Sequence, residues 1–135
     1  MKSRKLCDQV NAKWLLPIAV TLHNAEEAIW LPEFRAHHGW NSITPSQFRL
    51  AALMVAFLAL AVTFAAIQNN RSRTASIVFY MFCWIMLLNV FWHVGASFFF
   101  RAYAPGSVTA VVLVLPVTLY LIFSIRMRDS RYVKR

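Results

Sequence analysis

His23, Glu26 and Glu27 are the polar interruption in an otherwise apolar stretch, KWLLPIAVTLHNAEEAIWLP. At i, i+3 and i+4 they fall on one side of a helix. A second pair, Asn89 and His93, stands at i, i+4 in IVFYMFCWIMLLNVFWHVGASFFF, with Gly95 and Ser97 nearby. Two imidazoles and two carboxylates are a good ligand set for a divalent transition metal, zinc or iron. On that basis His23, Glu26, Glu27 and His93 are the candidate ligands, and Asn89 a neighbour that orients one of them by a hydrogen bond. Glu26, Glu27 and His93 are the candidate acid/base groups, because a carboxylate beside a Lewis acid serves both water attack and proton transfer. Two other chemistries fit the same residues. Without a metal, like charges in low dielectric push one carboxyl toward the acid form and leave its neighbour a base. Alternatively, the groups hydrogen-bond one another and lock helices together. A haem held between His23 and His93 fits less well, since two carboxylates have no role beside a haem ligand. Asn24 points about 100° away from His23 and reads as an interhelix hydrogen-bonder.

These residues need elements that hold them, and composition says which. Of 135 residues 59% are hydrophobic and only 14% charged, where soluble domains carry about 25%. A chain this short cannot bury so much apolar surface in water. Cys7 and Cys83 have no paired spacing, which excludes a disulfide framework or a CxxC metal site; Cys83 lacks a neighbouring base and reads as packing. Four stretches are long and apolar enough to cross a bilayer as helices: residues 13–32, 48–68, 77–100 and 107–127. They are too long and unalternating for barrel strands. The expected fold is all-α, a transmembrane four-helix bundle forming one domain over residues 1–135. Thr44-Pro45-Ser46 has the form of a helix start, Arg101 to Gly106 that of a tight turn, and Pro17 and Pro116 lie within spans. The basic start and short apolar core have the form of a signal peptide, but no small-x-small cleavage site follows, so the first span is expected to be retained.

Loop charge supports four spans. Lys2, Arg4, Lys5, Lys13, Arg71, Arg73, Arg126, Arg128, Arg131, Lys134 and Arg135 fall on one side; Arg35, Arg49 and Arg101 fall on the other. The positive-inside rule then puts both termini in the cytoplasm of a multi-pass cell-membrane protein. The net charge of +9 is thus expected to meet anionic lipid headgroups at the cytoplasmic face and not nucleic acid. Counted along their parallel spans, the His23 and Asn89/His93 clusters lie within one or two helical turns in height, in the outer half of the membrane. Trp30, Trp40, Tyr103 and Phe98 to Phe100 form an outer aromatic belt. His37 and His38 read as solvated loop histidines. Arg101 and Tyr103, at the outer mouth, are placed to hold an anionic or polar headgroup. So thin a bundle is compatible with a homodimer, although no GxxxG motif marks a face.

His23-Asn24-Ala25-Glu26-Glu27 reads as H-x-x-E-E in a first span, followed by Asn89-x-x-x-His93 in the third and Tyr103-Ala-Pro105-Gly106-x-x-Thr109 at the start of the fourth. This pattern resembles the HXXEE-motif family of small integral membrane proteins over nearly the whole chain. The resemblance implies that His23, Glu26, Glu27, Asn89 and His93 belong to one site; it implies no substrate. The expected function is a small, metal-dependent membrane enzyme of hydrolytic or proton-transfer chemistry on a lipid-like or apolar substrate. The alternatives are a non-enzymatic ion or proton carrier and a membrane accessory subunit. A carrier would need a polar stripe from face to face, and the cytoplasmic halves offer little beyond Thr63, Thr118 and Tyr120.

Overall fold

The computed structural model describes residues 12–39, 43–69 and 72–132, with the helix alone described over 125–132. Cys7, Trp40, Arg71 and the basic residues at the two chain ends that carried the charge argument lie outside those residues, or have side chains that do.

Among the described residues the chain is all helical. The elements are α1 (Leu15–His37), α2 (Pro45–Gln68), α3 (Arg73–Phe100) and a fourth rod. That rod starts as a single turn, α4 (Ser107–Thr109), widens into a π-helical segment (Ala110–Val114) and continues as α5 (Leu115–Tyr132). Local chemistry explains the helix starts. The Thr44 hydroxyl accepts the Gln47 amide, the Gln47 side chain accepts the Thr44 amide, and Pro45 takes the first position of α2, a complete capping box. Ser72 caps α3 by accepting the Ala75 amide. The widened turn ends just before Pro116, which has no amide proton to give.

α1 runs five residues beyond the expected end, through Pro32 to His37. Proline removes the amide that would have met the carbonyl of Ala28, and the Nε–H of Arg49 on α2 donates to that oxygen instead, at 3.2 Å. A neighbouring helix thus repairs the gap, and the helix continues. His37 consequently belongs to the last turn of α1. His38 donates from Nδ1 to the Phe34 carbonyl at 2.8 Å and packs on Phe34 and Phe100, so neither histidine sits in an open loop.

α1 packs against α2 and the fourth rod, and α3 packs against the same two. α1 and α3 therefore face each other across the centre, where the polar residues meet. The apolar core fills the half of the bundle away from the Tyr103–Gly106 turn, with Leu16, Val20, Phe79, Cys83, Val114 and Leu121 all fully or nearly buried. Asn24 donates to the Ala52 carbonyl at 2.8 Å and ties α1 to α2, as its position around the helix suggests.

Three helical stretches, Pro45–Gln68, Arg73–Phe100 and Ser107–Ser124, are long and apolar enough to cross a membrane. α1 is long enough, about 35 Å at 1.5 Å per residue, but His23, Asn24, Glu26 and Glu27 lower its apolarity. The outer surface is a wall of large apolar side chains: Phe57 is 72% exposed, Met54 64% and Leu88 64%. Water tolerates no continuous patch of that kind.

Candidate metal centre

α1 contributes His23, Glu26 and Glu27; α3 contributes Asn89 and His93; the turn and first residues of the fourth rod contribute Tyr103, Gly106 and Thr109. His23 is fully buried and His93 nearly so. Their rings meet edge to face with centroids 4.8 Å apart. That contact leaves no gap for a macrocycle, so a haem between the two imidazoles does not fit.

The two glutamates part company. Positions i+3 and i+4 lie on opposite sides of residue i by about 60° and 40°, because each residue turns the helix by about 100°. Glu27 turns toward α3: its Oε1 lies 2.8 Å from His93 Nε2 and 3.8 Å from His23 Nε2. Glu26 turns toward the fourth rod. Its Oε1 accepts the Gly106 amide at 3.1 Å and the Tyr103 hydroxyl. Its Oε2 accepts the Thr109 amide at 3.3 Å and the Thr109 hydroxyl at 2.5 Å. With four donors around it, Glu26 caps the start of the fourth rod from a neighbouring helix. The expectation of four ligands on one ion thus divides into a three-residue cluster and an anchor.

The cluster is His23, Glu27 and His93, whose ligand atoms all lie within 4.8 Å of one another. An ion bound tetrahedrally at about 2.0–2.2 Å holds its ligand atoms about 3.4 Å apart, so shifts of an ångström or less would gather these three. His93 Nε2 is buried and makes no hydrogen bond among the described residues; Glu27 Oε1 is close but outside hydrogen-bond geometry. A buried imidazole nitrogen left this way is costly. Among the described residues Glu27 has ion-pair partners only in the two imidazoles. Two imidazoles and one carboxylate, with a fourth position open, are the donor set of catalytic zinc and of facial-triad iron.

Asn89 Nδ2 lies 2.9 Å from His23 Nε2. It therefore contacts the very nitrogen a metal would take, whereas sequence reasoning placed it behind a ligand. Gly106 backs onto the cluster with φ +92°: a Cβ there would come within 2.7 Å of His93 Cε1 and 3.0 Å of Glu27 Cγ. Ser107 and Ser97 share a hydrogen bond of 2.8 Å, and Ser107 donates to the Ala104 carbonyl at 2.6 Å, which pins this turn to α3. Tyr103 is engaged with Glu26 and not free at a mouth; burial first, and then that carboxylate, push its phenol above the ordinary value. Arg101, exposed in a left-handed conformation with φ 49°, ends α3 nearby. Gly106 and Thr109 were not legible as site residues from spacing, although both lie in the Tyr103-to-Thr109 pattern.

Fold and site together define a class: an all-helical protein, with helices apolar enough to span a membrane, built around a buried His/Glu/His cluster. The chain belongs to the HXXEE family, whose model, described as a protein of unknown function with HXXEE motif, matches residues 14–121. The uncharacterized protein YrkK of Bacillus subtilis (strain 168) is 32% identical over 114 residues, covering 82% of this chain and 72% of the relative. No solved structure matches.

Proposed function

We propose that this chain is a four-span integral membrane protein of the cell membrane, both termini cytoplasmic, whose His23–Glu27–His93 cluster binds one divalent transition ion, zinc or iron, and works as a small membrane enzyme. The observation that carries this proposal is the buried Nε2 of His93, which has no hydrogen-bond partner among the described residues and lies 2.8 Å from a carboxylate whose described ion-pair partners are imidazoles alone. A cation there would satisfy the nitrogen and offset the burial of Glu27. The ion would supply a Lewis acid for water or a substrate oxygen, and the Glu27 carboxylate oxygen not engaged as a ligand would be placed to take a proton. The chemistry is then hydrolysis or proton transfer on a lipid-like substrate that reaches the site through the bilayer. Anionic headgroups at the cytoplasmic face are the remaining proposed partners.

An ion or proton carrier is less well supported, because among the described residues the buried side chains beyond the site are apolar apart from Asn24, Thr63 and Thr118. Cobalt(II) titration of the full chain in detergent tests the proposal. Absorption bands of a four-coordinate ion should saturate at one equivalent and vanish in His93→Ala. A featureless titration contradicts it.

A further inference from the structure

The hydrogen bonds around His23 form a chain whose directions can be worked out. Glu26 accepts the backbone amides of Gly106 and Thr109, one on each oxygen, and these groups can only donate. The Thr109 hydroxyl lies 2.5 Å from Glu26 Oε2 and 3.3 Å from the Gly106 carbonyl. Both are acceptors, so whichever it chooses, its proton is committed. What remains for His23 Nδ1, 3.0 Å away, is the Thr109 oxygen lone pair. Nδ1 must therefore carry the hydrogen. The opposite nitrogen tells the same story independently: Asn89 presents its amide nitrogen, a donor, to Nε2 at 2.9 Å.

We propose that Glu26 and Thr109 are positioning residues that hold His23 in the Nδ1–H tautomer and so leave Nε2, which accepts from Asn89 and lies 3.8 Å from Glu27 Oε1, without a proton on the cluster side. A carboxylate acting on an imidazole through a hydroxyl is an extended form of the second-layer support that ligating histidines use. It gives the two adjacent glutamates of the motif separate tasks: Glu27 faces the third cluster member, and Glu26 sets which nitrogen of His23 faces the cluster. This deepens the metal-site proposal, yet its test needs no metal.

The experiment is two-bond proton–nitrogen correlation NMR on the full chain, histidine-labelled with nitrogen-15, in detergent and metal-free. The His23 signals are assigned by their loss in His23→Gln. Wild type and Thr109→Ser, which keeps the hydroxyl, should show one neutral species with Nδ1 protonated. Thr109→Val should move His23 to a mixture or to the Nε2–H form that unconstrained imidazoles favour. An Nε2–H signature in wild type overturns the proposal whether or not the valine variant folds, and so does an unchanged signature in Thr109→Val. Cobalt(II) titration then separates the two proposals: Thr109→Val should weaken binding about 10- to 100-fold, with Thr109→Ser restoring it. If wild type binds no cobalt, the metal site fails, while the tautomer result still decides the role of Thr109.

Discussion

The chain has three glycines, and alanine at each tests a different part of the architecture. Gly95 lies inside α3 with nothing within 4 Å of a built Cβ. Alanine there adds helix propensity at no steric cost and should stabilise by about 0.5–1 kcal/mol. Gly39 has φ +76° and no described residue within 4 Å of an added Cβ, so alanine should cost only the left-handed backbone penalty, about 1–2 kcal/mol. Gly106 has both problems. Its φ is +92°, and the new methyl would overlap His93 and Glu27, which belong to a site tied down at both ends. Adding an overpacking cost of about 1–3 kcal/mol to the same backbone penalty gives about 2–5 kcal/mol. For a chain of this length that is a fall in melting temperature on the order of 10 °C, against a few degrees for Gly39→Ala. Thermal unfolding in detergent, followed by circular dichroism, would rank the three. The close backing of the site by Gly106 is refuted if Gly106→Ala is no less stable than Gly39→Ala.

Substituting glutamine should separate the two glutamates. Glu26→Gln puts an NH₂ where four donors converge and should cost about 1.5–3 kcal/mol, whereas Glu27→Gln should leave melting nearly unchanged in metal-free protein and abolish metal uptake; equal melting shifts would contradict the division of roles. Asn24→Leu should lose about 0.5–2 kcal/mol through the bond to the Ala52 carbonyl, read by the same melts, and an unchanged melt would show that bond to be idle. Alkaline ultraviolet titration should show Tyr103 ionising above the ordinary tyrosine value of about 10. Because its folded pKa is raised, the Glu26–Tyr103 contact contributes fully below the unfolded value and is lost as pH rises through the folded one. Tyr103→Phe should remove a titration step above pH 10, and removal of an ordinary step would count against the contact.

The site was largely legible because carboxylates and imidazoles are conspicuous in apolar helices. Span counting puts His23, Glu27, Asn89 and His93 at matching heights, which fits a shared site, and the structure brings them together. What spacing could not reveal is the division between Glu26 and Glu27. Both lie within about 60° of His23 on a helical wheel, and only the partners on other helices decide which way each turns. Thr109 and Gly106 were hidden for the opposite reason: a threonine and a glycine at a helix start look like turn chemistry. The continuation of α1 past residue 32 was not legible, since the Arg49 donor that replaces the Pro32 amide comes from another helix and leaves no mark in local sequence. The four helical rods among the described residues, by contrast, followed from the four long, mostly apolar runs.

The most direct test is the metal content of the full chain purified from rich medium without chelator, measured by plasma mass spectrometry beside its variants. About one equivalent of zinc or iron is expected in wild type, falling to background in His23→Ala, Glu27→Gln and His93→Ala and remaining in Glu33→Ala. Metal at background in wild type, with no uptake on titration with zinc or iron(II), would contradict the metal centre.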